Sequence, residues 1–113
     1  MANFNKDKKQ GKINTPSQEI IKHILNLFNE GKFDVVVKKT QELIKEYPDA
    51  FIFWNFNGVA NKILGRIEEA SNSFKKVTKL NPKYADGHNN LGVILREQNK
   101  LHEAIDVFKK ALS

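Results

Sequence analysis

The sequence predicts an all-α fold of three tandem helix-turn-helix hairpins stacked as a right-handed α-solenoid, and three observations predict it. Residues recur at a step of 34: Trp54, Gly58, Gly65, Ala70 and Phe74 are answered by His88, Gly92, Asn99, Ala104 and Phe108, while Pro82 and Gly65 look back to Pro48 and Gly31. Apolar residues follow three- and four-residue steps along the chain from residue 17 onward. Helix-stopping residues fall between these runs, at Gly31, Pro48, Gly65, Pro82 and Asn99. A fixed period of this size marks supersecondary units that each bury their apolar face only by stacking on a neighbour.

The elements follow in order. Thr15-Pro16-Ser17-Gln18 reads as a capping box, with Thr15 as the cap and Pro16 at the first helical position. Ile20, Ile21, Ile24, Leu25, Leu27 and Phe28 then trace one helix as far as Gly31, which takes the left-handed conformation that ends it. Phe33, Val36, Val37, Leu43 and Ile44 trace a second helix up to Tyr47-Pro48, and Asp49 is the expected cap of the third. The third and fourth helices span about 51–64 and 67–80, joined at Gly65-Arg66 and closed by Asn81-Pro82. The fifth and sixth span about 85–98 and 101–112, joined at Asn99-Lys100. Residues 1–16 form a flexible basic leader, and residues 17–113 hold repeats at about 17–50, 51–84 and 85–113.

The second unit resembles a tetratricopeptide repeat: Trp54, Gly58, Ala70, Phe74 and Pro82 match that pattern at its spacings, with Asn57 and Asn61 where Leu and Tyr are usual. The third keeps Leu91, Gly92, Ala104, Phe108 and Ala111, with His88 for Trp and Leu95 for Tyr. The first keeps Gly31, Leu43 and Pro48. Small residues paired across a hairpin, Gly58 with Ala70 and Gly92 with Ala104, allow two helices to approach closely, so that Trp54, Phe74 and Phe108 fill the gaps. The first unit has the larger Ile24 and Val36 at those places, which predicts a more splayed hairpin serving as a cap.

Composition excludes several functions. With 113 residues the chain is one modest domain, and with no cysteine it has neither disulfides nor thiolate ligands. The formal charge is +6, of which +3 falls in residues 1–16. No run approaches the length of a membrane span and the start has no apolar signal core, so a cytoplasmic protein is expected. His23 and His88 fall at core or near-core positions and His102 near a turn, with no two on one helix face, which leaves metal binding without support. There is no phosphate loop or nucleophile elbow, and carboxylates such as Glu42, Glu46, Glu68 and Glu69 read as solvated helix surface. We expect no catalytic residues, no metal and no cofactor.

The resemblance implies that an extended peptide or partner helix lies in a concave groove lined by the first helix of each unit. At the step of 34, that face carries Ile52, Asn55, Val59 and Lys62 from the second unit, and Asp86, Asn89, Asn90, Val93 and Arg96 from the third. Asn55 and Asn89 can meet a main-chain amide, Lys62 and Arg96 a carboxylate, and Ile52, Val59 and Val93 supply an apolar floor. Family members that clamp a terminal carboxylate use a basic pair on the third such helix; Asp86 and Asn90 stand there instead, so that clamp is absent despite Lys22 and Asn26. Leu101, Ile105, Phe108 and Leu112 stripe the last helix and predict self-association through it. Two alternatives stand beside the peptide groove. The stretch from Tyr84 to Gly92 is similar to repeats preceding sugar- or sulfate-transferring domains, which implies a structural or oligomerising segment of a larger enzyme. The leader with Lys75, Lys76, Lys79 and Lys83 allows nucleic-acid binding, the less favoured reading.

Overall fold

A computed structural model describes residues 15–113, and the predicted basic leader lies almost wholly outside them. Six helices form three hairpins: α1 (Gln18–Asn29) with α2 (Phe33–Glu46), α3 (Phe51–Ile63) with α4 (Ile67–Leu80), and α5 (Ala85–Glu97) with α6 (Leu101–Leu112). No strand occurs among the described residues. Each hairpin turn is the same device. Gly31, Gly65 and Asn99 have φ of 76°, 81° and 64°, and the residue after each donates its amide to a carbonyl five positions back, as Arg66 does to Asn61 at 2.8 Å. That left-handed residue lets the chain reverse while the last carbonyls of the helix stay bonded.

The links between hairpins also repeat. Ala50 donates to the Tyr47 carbonyl at 3.1 Å and Tyr84 to the Asn81 carbonyl at 3.1 Å. The indole N–H of Trp54 then bonds the Pro48 carbonyl at 3.2 Å, and His88 Nε2 bonds the Pro82 carbonyl at 2.6 Å. A carbonyl only accepts, so His88 carries its hydrogen on Nε2 and replaces the tryptophan as donor.

Two expected caps are corrected. Ser17, not Thr15, caps α1, its Oγ accepting from the Ile20 amide at 3.2 Å. Ser17 itself is extended, with ψ of 152°, so the helix begins at Gln18. Asp49 does not cap α3; Ala50 occupies the cap position without a side-chain bond, because the Tyr47–Ala50 turn places Asp49 one residue too early.

The glycines act by receiving rings. A Cβ on Gly58 would lie 2.6 Å from Phe74 Cε1, and one on Gly92 would lie 2.5 Å from Phe108 Cε1. In the first hairpin the register exchanges the two sizes, with Ile24 at the glycine position and Thr40 at the phenylalanine position, both fully buried. As expected, α1 packs on α2 less extensively than α3 on α4 or α5 on α6, and a cleft of about 470 Å³ opens between them beside Ile20, His23 and Leu43. His23 lines that cleft and is exposed, not a core residue.

Two apolar clusters result. One gathers Ile24, Val36, Val37, Tyr47, Ala50, Phe53 and Ala60; the other gathers Ala70, Phe74, Leu91, Ile94, Leu95 and Ala104. Between α2, α3 and α4 lies a buried polar layer instead. Asn57 Nδ2 donates to Thr40 Oγ1 at 3.0 Å, while Asn57 Oδ1 accepts from Asn61 Nδ2 at 2.9 Å and from Ser73 Oγ at 2.7 Å. The Thr40 hydroxyl in turn donates to the carbonyls of Val36 and Val37 at 2.7 and 3.1 Å.

Candidate functional site

The first helices of the three hairpins stand side by side. Asn90 Nδ2 on α5 donates to Asn55 Oδ1 on α3 at 3.3 Å, and the Phe28 ring on α1 lies 5.9 Å from the Phe56 ring on α3. Three rods joined in this way make one wall, on which residues 34 apart take equivalent positions.

Most of the predicted groove residues are accessible on that wall. Asp86, Asn89 and Arg96 are exposed; Ile52, Asn55, Val59, Lys62, Asn90 and Val93 are half-buried. Ile52 leans on the first apolar cluster and Val59 on the second, so the floor is continuous with the core. The Asn55–Asn90 bond uses one acceptor of Asn55 and one donor of Asn90, leaving each amide further capacity. The side chains of Lys62 and Arg96 have neither an ion pair nor a hydrogen bond among the described residues, unlike Arg66, which meets Asp34 at 3.2 Å, and Lys32, which meets Glu30 at 3.2 Å. A half-buried lysine with no partner leaves its charge available to a ligand.

The strip expected to self-associate divides. Leu101, Ile105 and Leu112 are 53%, 52% and 89% exposed. Phe108 is half-buried with its ring against Gly92, because it closes the third hairpin as Phe74 closes the second, and so belongs to the core.

The opposite face holds what sequence reasoning missed. A groove of about 480 Å³ runs between α2 and α4, floored by Asn57, Asn61 and Ser73 and walled by Gln41, Lys45, Glu69 and Asn72. The signal was present, since Asn57 and Asn61 depart from the repeat's Leu and Tyr, but nothing in the local pattern paired them with Thr40 and Ser73. At the α3–α5 joint, Tyr84 packs against Phe51 with ring centroids 4.9 Å apart, and burial, then the negative charge of Asp86, raises its hydroxyl above the ordinary value of 10.0. No cluster of three metal-ligating side chains occurs among the described residues, and no helix there is long and apolar enough to cross a membrane.

Comparison with known proteins gives two family matches, one described as TPR repeat over residues 60–95 and one as tetratricopeptide repeat over residues 85–113. A yeast protein, "Essential for maintenance of the cell wall protein 1" of Saccharomyces cerevisiae, is 27% identical over 84 residues, which are 74% of this chain and 9% of that protein. Among solved structures, the second TPR of Spaghetti (RPAP3), bound to the HSP90 peptide SRMEEVD, superposes with a TM-score of 0.82 at 20% identity, covering 94% of this chain and 96% of that one. MamA, as its D159K mutant, superposes with a TM-score of 0.73 at 31% identity over 78% of this chain and 48% of that one. The chain thus spans about half of MamA and a small part of the yeast protein.

Proposed function

We propose that this chain, a tetratricopeptide repeat protein, is a protein-interaction module that holds an extended peptide or partner helix across the wall formed by α1, α3 and α5. One observation carries the reading: the three first helices touch through Asn55–Asn90 and Phe28–Phe56, so side chains from all three units face one ligand together. Asn55 and Asn89 supply donors and acceptors for a main chain, Lys62 and Arg96 supply positive charge that no described residue pairs, and Ile52, Val59 and Val93 supply apolar surface between them. The solved RPAP3 domain, alike in fold, carries a peptide, which supports the same use here. Repeats of this kind are typically noncatalytic scaffolds, and the chemistry of this wall is that of binding.

The test is peptide-array binding by the unaltered chain and by an Asn55→Ala, Asn89→Ala double variant. Binding falls in the variant if the wall holds the ligand. Undiminished binding rejects the reading.

A second reading rests on Leu101, Ile105 and Leu112, whose exposure leaves α6 with an uncovered apolar edge. It makes the chain an oligomerising segment, and light scattering that finds a monomer at high concentration rejects it.

A further inference from the structure

The groove between α2 and α4 is floored by side chains that packing alone does not call for. At the step of 34, the places of Asn57, Asn61 and Ser73 are taken in the next seam by Leu91, Leu95 and Val107. In the groove they are polar, yet only 5%, 2% and 4% exposed. The network that joins them turns unused capacity outward. Asn57 Oδ1 accepts from both Asn61 Nδ2 and Ser73 Oγ, which occupies its two lone pairs and holds those two side chains together. Asn61 Oδ1 and the Ser73 hydroxyl oxygen accept from no described residue, and one N–H of Asn61 is spare. Among the described residues the polar side-chain atoms that are both shut away and unpartnered belong to Ser71, His88 and Gln98, so the Asn61 oxygen is not sealed in; it opens on the groove that Asn61 lines.

We infer that this groove is a binding site for a neutral, hydroxyl-rich small molecule of the size of a mono- or disaccharide. A sugar hydroxyl is both donor and acceptor, and neighbouring hydroxyls need both kinds of partner close together; Asn61 and Ser73, held on one Asn57 oxygen, offer a donor and acceptors in that way. The exposed amides of Gln41 and Asn72 repeat the offer from the two walls. Lys45 and Glu69 are the charged residues of the lining, one of each sign, so the groove favours neither an anion nor a cation. Trp54 and Ile44, both half-buried, add apolar surface for the C–H face of a sugar ring. A volume of about 480 Å³ is that of a small-molecule site, and a floor fixed by its own hydrogen bonds presents its free groups before any ligand arrives.

Two-dimensional amide NMR of the isotope-labelled full chain, titrated with glucose, galactose, mannose, N-acetylglucosamine and maltose, tests this. At least one sugar is expected to give saturable shifts at millimolar concentration in the side-chain amides of Asn57, Asn61 and Asn72 and in the Trp54 indole N–H, with those of Asn55 and Asn89 unmoved. That sugar should bind about tenfold more weakly to Asn61→Leu, which puts the hydrocarbon of the next seam in the floor. It should bind about threefold more weakly to the double variant Gln41→Ala, Asn72→Ala, whose exposed positions keep the test open should the floor variant fail to fold. Binding undiminished in a folded variant of either kind overturns the site. Shifts gathered on Asn55 and Asn89 place the sugar on the first-helix wall and overturn it too. A stronger response to galacturonic acid or glucosamine than to galactose or glucose overturns the neutral class. A panel without any saturable shift overturns the inference and leaves the peptide reading of the wall untouched.

Discussion

Thr40, Asn57, Asn61 and Ser73 stand 34 residues before Phe74, Leu91, Leu95 and Val107, so the same four positions build the seam between the first and second hairpins and the seam between the second and third. In the first they form a closed hydrogen-bond network. In the second they are hydrocarbon, with Phe74, Leu91 and Leu95 buried in the second apolar cluster and Val107 packed against it. Backbone geometry is shared, as the repeated turns and carbonyl latches show, so the stacking does not depend on one kind of filling. What differs is the source of cohesion. Apolar filling gains transfer free energy wherever it packs, whereas the network holds only when each donor meets its own acceptor. The first unit is thereby tied to the second in one register even though its own helices splay.

That contrast is broken most strongly from the apolar side. Leu91→Ala leaves a cavity in the second seam and should cost about 2–5 kcal/mol in urea unfolding. On the polar side, Asn57→Ala strands the buried donors of Asn61 and Ser73 and should cost about 2–4 kcal/mol by the same measurement. Gly65→Ala, at a turn with open space around it, tests the shared geometry: its cost of about 1–2 kcal/mol would be conformational alone. The triple change Asn57→Leu, Asn61→Leu, Ser73→Val gives three of the four positions the hydrocarbon of the second seam while Thr40 keeps its bonds to the Val36 and Val37 carbonyls, and should leave stability within about 1 kcal/mol of the starting chain. A triple variant as unstable as Asn57→Ala would show that the two seams are not interchangeable.

The smallest effect depends on pH and belongs to the second seam alone. Tyr84 has a hydroxyl raised by burial and then by Asp86, and its counterpart 34 residues earlier is Ala50, which does not titrate. The folded chain holds the phenolic proton more tightly than the unfolded one. Stability from this source is therefore complete below the ordinary value of 10.0 and declines as pH rises past it. Urea midpoints measured across that range should fall for the unaltered chain and fall less for Tyr84→Phe.

Much of the fold was legible because its signals are local. Gly31, Gly65 and Asn99 mark the hairpin turns, since a left-handed residue is demanded at one place and few residue types supply it. The splayed first hairpin was legible too, from Ile24 and Val36 where the other units carry Gly and Ala. Caps were read less well: Thr15 and Asp49 are good capping residues, but the extended backbone of Ser17 and the Tyr47–Ala50 turn decide where each helix begins. Phe108 reads from the sequence both as a filler of the hairpin gap and as part of an outer stripe, and its ring against Gly92 decides for the gap.

By itself, then, the sequence determined the number of hairpins, their 34-residue register and the residues shared by the first-helix wall, because helix period, turn chemistry and repetition act over a few residues or a fixed step. Tertiary structure alone decided that Asn57 would join α2, α3 and α4, that His88 would take over the tryptophan's bond to a proline carbonyl, and that the side chains of Lys62 and Arg96 would find no partner among the described residues. Those outcomes depend on which atoms of separate helices arrive within hydrogen-bonding distance, and that distance is set by packing across the whole stack.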